Sequence, residues 1–144
     1  MKTILLISGP NLNLLGERET DVYGDTSLDE YVELASSVAS VHGYGLVHHQ
    51  YNDEGDIVEE IHSARNVHEG IIINPGALTH YGWSIHDALA AFDGPVIELH
   101  ISNPNAREAW RHTSVVAPVA TGSIIGFGKF GYELAVNALV DSLK

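Results

Sequence analysis

The chain has 144 residues, 44% of them hydrophobic, with a formal net charge of −12, nine histidines and no cysteine. That length fits one domain, residues 1–144, with a sizeable core, and the hydrophobic content is too high for a disordered segment. The acidic balance disfavours nucleic-acid phosphates and anionic membranes as partners, while the lack of cysteine excludes disulfides, thiolate metal sites and thiol nucleophiles.

KTILLIS, residues 2–8, is a short continuous apolar run and reads as a buried strand. It is too short for a signal peptide, and no run in the chain reaches membrane-spanning length, so a cytoplasmic location is the expectation. A long loop, GPNLNLLGERETDVYG (9–24), follows. Ser27 and Glu30 then match a capping box. They open a helix with Leu28, Tyr31, Val32, Ala35, Val38 and Ala39 on one face and Gly43 as its stop. LVHHQY (46–51) reads as the second strand. Asp56 is placed to cap a helix whose apolar face is Ile57, Ile61, Ala64 and Val67, with Gly70 ending it. IIIN (71–74) is the third strand, 83–92 a helix and PVIELHIS (95–102) the fourth strand. Asn103-Pro104 caps a short helix through NAREAWRH. TGSIIGF (121–127) is the fifth strand. Tyr132, Ala135, Val136, Leu139, Val140 and Leu143 form the clearest amphipathic stripe.

Alternating short buried strands and helices predict an α/β protein, a three-layer flavodoxin-like fold on a five-stranded parallel sheet. Ligands of such sheets bind beyond the carboxyl ends of the strands. Asn11, Arg18 and Tyr23 follow the first strand. Asn74 and His80 follow the third. Glu98, His100, Ser102, Arg107 and Arg111 lie on or after the fourth. Three of the four arginines therefore fall at one rim, where an acidic protein would need them to hold a small anion.

Gly126 to Gly131 matches G-x-G-x-x-G. A dinucleotide fingerprint also needs a following strand with an acidic residue about 20 positions on, and none follows, so the glycines read as close packing of the last strand on the last helix. The histidines invite a metal site, but His48 and His49 on a strand point to opposite faces. His62 and His68 are badly spaced for one ion, and H-E-x-x-H is absent. His100 differs. Glu98, two residues earlier on a strand, shares its face and favours an imidazolium. In the long loop, Arg18 and Tyr23 form a second pair. A free tyrosine keeps its proton to about pH 10, and a nearby guanidinium favours the phenolate.

Four stretches, GPNLNLLGERETDVYG, NPGALTHYGWSIHDAL, IELHISNPNAREAWRH and ATGSIIGFGKFGYELA, together resemble the type II 3-dehydroquinate dehydratases, in order and over nearly the whole chain. The resemblance implies a hydro-lyase of the shikimate pathway and of aromatic amino acid biosynthesis. Such an enzyme converts 3-dehydroquinate to 3-dehydroshikimate and water by anti elimination through an enolate. It uses no metal, cofactor or Schiff base, and it assembles as a homododecamer built from trimers. Carried over by residue, Tyr23 is the base, Arg18 its activator, Asn11 the holder of a water on the enolate oxygen, and His100 the acid with Glu98 beside it. Asn74, His80, Ile101, Ser102 and Arg111 bind substrate, Arg107 is a positive charge near the site, and Asp87 reaches a neighbouring subunit's site. The long loop then reads as a lid hinged at Gly16 and Gly24. Thr20, where the family often has proline, Leu78, where an aromatic is common, and His86 depart from the pattern. Two other readings stay open on the residues alone: a non-catalytic flavodoxin-like module that binds a small anion, and a histidine-ligated metal hydrolase.

Overall fold

The computed structural model describes residues 1–17 and 19–144. Its strands are short and apolar: β1 (Thr3–Ser8), β2 (Gly45–Gln50), β3 (Gly70–Asn74), β4 (Val96–His100) and β5 (Gly122–Ile125). They pair in parallel in the order β2-β1-β3-β4-β5, the flavodoxin-like order with its switch between β1 and β3.

Successive residues of a strand face opposite sides of the sheet, and both sides here are covered. Ile4, Leu6, Ile72 and Leu99 pack under α2 (Leu28–Val41) and α5 (Phe130–Ser142). Leu5, Ile7, Ile71 and Ile73 pack under α3 (Glu54–Ala64) and α4 (Trp83–Ala90). The central strands must therefore be continuously apolar, as the β1 and β3 sequences are. Two glycines permit close contacts. A Cβ on Gly9 would lie 2.6 Å from the Pro75 carbonyl, where the loops after β1 and β3 touch. A Cβ on Gly131 would lie 3.2 Å from Leu99 Cδ1, which is the strand–helix packing expected of the glycine-rich turn.

The capping box of α2 forms in full: Glu30 N–H donates to Ser27 Oγ and Ser27 N–H to Glu30 Oε2. Several boundaries differ from the sequence reading. The cap of α3 is Asp53, not Asp56. Asp53 has extended backbone and its carboxylate accepts from the Asp56 N–H, so the helix starts before Gly55. That leaves Val67 beyond the helix and 62% exposed. Gly70 begins β3 instead of ending α3, and α4 stops at Ala90, short of Phe92. NAREAWRH forms no α-helix. It folds into two 3-10 turns, Pro104–Ala106 and Ala109–Arg111, with Arg107 in extended backbone between them. The long loop after β1 holds a 3-10 turn, Leu12–Leu14, and a one-turn helix α1 (Thr20–Tyr23), with positive φ at Gly16 and Gly24. Thr20 opens α1, a position proline tolerates.

Candidate active site

The loops after β1, β3 and β4 enclose a cavity of about 150 Å³ at the carboxyl edge of the sheet. Its wall includes Asn11, Tyr23, Asn74, His80, His100, Ile101, Ser102, Arg107 and Arg111. Nine of the residues read from the sequence thus converge there, and no Asp or Glu is among the described residues of the wall. In a chain of charge −12, this is a local reversal of sign suited to an anion.

Each side chain is held by identifiable contacts. Asn11 takes a left-handed φ of 69° at the start of its 3-10 turn, and its N–H donates to Asn52 Oδ1. Gln50 Nε2 donates to the Gly9 carbonyl and to the same Asn52 oxygen, bracing the loop. Asn74 ends β3, where its Oδ1 accepts from the Gly76 N–H. The Tyr23 carbonyl accepts from the Tyr31 hydroxyl at 3.1 Å, tying α1 to α2. The Tyr23 phenol oxygen accepts from Arg107 Nη1 at 2.8 Å. The same nitrogen reaches Ser102 Oγ, and the guanidinium carbon lies 5.4 Å from the Tyr23 ring centroid. Arg107 is therefore directly on the phenol oxygen, a closer role than the nearby charge read from the sequence. Arg18 lies outside the described residues. Arg111 is oriented by Glu108 Oε2 at 2.6 Å and by stacking on Trp110.

Across the cavity, His100 ends β4, and its Nε2 lies 2.6 Å from Glu98 Oε2. Glu98 is 2% exposed and stands behind His100, off the Tyr23 cavity wall. Its carboxylate accepts from Thr79 Oγ1 at 2.6 Å and from Ser114 Oγ at 2.9 Å. Burial pushes the Glu98 carboxyl up. The hydrogen bond and charge of His100, with the hydroxyls of Thr79 and Ser114, outweigh burial and hold it below its ordinary value. Thr79 and Ser114 escaped the sequence reading, although Thr79 directly precedes a chosen residue, His80. Asp87 is exposed on α4 and off the wall of its own chain's cavity. His48 and His49 point to opposite faces, toward Ser8 Oγ and Glu60 respectively. Leu78 is buried in the core under α4, and His86 Nδ1 donates to the Val115 carbonyl.

Chemically, the cavity offers a phenol oxygen under a guanidinium and an imidazole backed by a carboxylate. These are a proton acceptor and a proton donor facing one anion-sized space. The dehydroquinase class II family model matches residues 2–140. The chain belongs to that family. Among curated relatives of this class II dehydroquinase, the 3-dehydroquinate dehydratase of Halalkalibacterium halodurans is 51% identical over 144 residues, covering 100% of this chain and 99% of the relative. That of Bacillus cytotoxicus is 50% identical over 143 residues, covering 99% and 98%. The type II dehydroquinase structure from Butyrivibrio crossotus superposes with a TM-score of 0.92 at 44% identity, covering 96% of this chain and 97% of that one. That from Propionibacterium acnes gives 0.93 at 40% identity, covering 98% and 97%. No helix among the described residues of this dehydroquinase is long and apolar enough to cross a membrane.

The donors around Glu98 make this dehydroquinase acid-sensitive in a defined direction. Unfolding removes them, so the unfolded chain binds a proton at Glu98 more tightly than the folded one. The stabilisation is complete above the ordinary glutamate value of 4.5 and is lost as pH falls below it toward the depressed folded value. Glu98→Gln cannot titrate. The expected result is a difference in Tm between the native chain and Glu98→Gln that shrinks as pH falls below about 4.5, measured by thermal circular dichroism. A difference independent of pH would contradict the assignment.

Proposed function

We propose that this chain is a cytoplasmic hydro-lyase that converts 3-dehydroquinate to 3-dehydroshikimate and water. The observation that carries the reading is the facing of Tyr23, under Arg107, and His100, over Glu98, across one cavity with cationic groups on its wall.

The Tyr23 phenolate takes the proton from C2, and the C–H electrons move toward the C3 ketone to form an enolate. The oxygen of that enolate needs a donor, and a water held on Asn11 supplies it. The enolate then collapses: the carbonyl re-forms, the C1–C2 double bond is made and the C1–O bond breaks. His100 gives its proton to the departing hydroxide, which leaves as water. Tyr23 has then gained one proton and His100 has lost one. Arg18 supports the charge on the phenolate, and Arg111 with Asn74, His80 and the Ile101–Ser102 backbone holds the substrate. The loop carrying Arg18 and Tyr23 closes as a lid that keeps bulk water from the enolate.

The conjugated enone absorbs in the ultraviolet and the hydroxyketone does not, so mixing purified protein with 3-dehydroquinate tests the activity. A rise in absorbance at catalytic protein concentration is expected. Stoichiometric binding without a rise would favour the small-anion binding module instead.

The assembly forms part of the proposal: twelve copies built from trimers, with Asp87 reaching a neighbour's cavity. Tyr81, Trp83 and Trp110 are each more than half exposed beside the site, and Trp83 shares α4 with Asp87. Large exposed aromatics are the composition of an interface core. Light scattering should give a mass many times 15.6 kDa, and dilution to monomer should abolish most activity. A fully active monomer would contradict the role of Asp87.

A further inference from the structure

His100 has two ring nitrogens, and acid catalysis depends on which of them carries its proton. Groups that bear on that choice lie off the cavity wall, in the loop 113–117 between β4 and β5. This loop is fastened to the turn before α4 and to α4 itself. His80 Nδ1 donates to the Thr113 carbonyl, His86 Nδ1 to the Val115 carbonyl, and the Val115 N–H to the Thr79 carbonyl at 2.7 Å. Within it, Ser114 Oγ accepts from two backbone amides, Val116 N–H at 3.1 Å and Ala117 N–H at 2.9 Å.

A hydroxyl has two lone pairs and one proton. Both lone pairs of Ser114 are taken by amides, so Ser114 can only donate. Its oxygen lies 2.9 and 3.0 Å from the two Glu98 oxygens and 3.0 Å from Thr79 Oγ1, and the charged carboxylate is the stronger acceptor for its proton. Thr79 Oγ1 also donates to Glu98, at 2.6 Å. Hydroxyl protons aimed at both of its oxygens favour the ionised carboxylate, which can only accept, and the nitrogen facing it at 2.6 Å is Nε2 of His100.

We propose that Ser114 is a positioning residue that holds Glu98 as an ionised acceptor, so that Nε2 of His100 keeps a proton throughout and Nδ1 is the nitrogen that exchanges one with the substrate. The inference rests on the reading of His100 as the acid. The acid form is then the imidazolium, with its Nε2–H held by Glu98. Without the Ser114 proton, Glu98 can itself carry a proton toward His100, the ring accepts at Nε2, and the donor to the leaving hydroxyl is misplaced.

Neutron diffraction from deuterated crystals places these protons directly. The unsubstituted protein should show hydrogen on Nε2 of His100 and on Oγ of Ser114, and none on Glu98. Hydrogen on Glu98, or a neutral His100 protonated only at Nδ1, would overturn the proposal whatever the variants do. In solution, Ser114→Ala should lower kcat for dehydration by about ten- to a hundredfold, the range expected for a lost hydrogen bond to a charged group. KM should change less than threefold, and exchange of the C2 proton with solvent should be nearly unchanged. Ser114→Thr, which keeps the donor, should recover most of kcat. Equal loss of exchange and dehydration in Ser114→Ala would mark a merely structural role and overturn it. Full dehydration by His100→Ala would instead remove the acid role of His100, leaving the proton positions in the neutron map as a separate result.

Discussion

Tyr23→Phe is expected to lower kcat by at least the ~10²–10⁴-fold that general base catalysis contributes, with KM within a few-fold of the native value. The phenyl ring keeps the packing of Tyr23 against the core under α2 and α5. What disappears is one oxygen, the acceptor 2.8 Å from Arg107 Nη1. Losing a hydrogen bond of that kind costs about 1–3 kcal/mol at most, so the variant remains folded and any shift in Tm is small. The two readouts then separate: circular dichroism nearly unchanged, turnover nearly gone. Arg107 and Arg111 are cations and His100 is engaged by Glu98, so among the described residues of the wall only His80, fixed through Nδ1 to the Thr113 carbonyl and read as a substrate-binding residue, has a second acceptor nitrogen. Turnover close to native would remove Tyr23 as the base.

His100→Ala is expected to fail at the opposite half of the reaction. Tyr23 and Arg107 lie on the other wall and are untouched, so the C2 proton is still removed and returned. The hydroxyl at C1 then has no acid to receive it. In deuterated solvent, deuterium should enter C2 of 3-dehydroquinate faster than 3-dehydroshikimate forms, with dehydration reduced about 10²–10⁴-fold. The substitution also leaves buried Glu98 without the partner at 2.6 Å, and Thr79 and Ser114 remain to satisfy it. A stability loss is therefore expected, and turnover should be measured well below the Tm of the variant. Parallel loss of exchange and dehydration would contradict the division of labour between the two walls.

The strands could be read from the chain because both faces of this sheet are covered, which forces continuous apolar runs such as ILLI and IIIN. The start of α2 was equally legible, because a capping box is a local signal. Where local signals conflicted, the reading slipped. Asp56 stands directly before the apolar face of α3 and reads as its cap, yet Asp53 takes that place and the helix runs through Gly55. Pro104 opened a turn that the chain continued only as two 3-10 segments. The same limit shaped the site. Placement after a strand collected Asn11, Asn74, His100 and the arginines, and resemblance gave them roles. No local pattern joins Arg107 to Tyr23 across 84 positions, or Ser114 to Glu98 across 16. Those contacts exist only once the loops fold over the sheet edge.

The proposed elimination runs through an enolate, without an amine. The competing way to dehydrate the same ketone stores charge in an iminium on a lysine, and the chain has three lysines. Lys2 pairs with Glu69 at 3.4 Å, at the amino end of the sheet. Lys144 is the last residue, exposed. Lys129 is exposed before α5 and off the cavity wall. The deciding measurement is the intact mass of the protein after turnover of 3-dehydroquinate in the presence of borohydride, which reduces an iminium to a permanent amine. The enolate route predicts an unchanged mass and full residual activity. Substrate mass fixed on Lys129, with activity lost in proportion, would contradict it and remove the roles given to Tyr23 and Arg18.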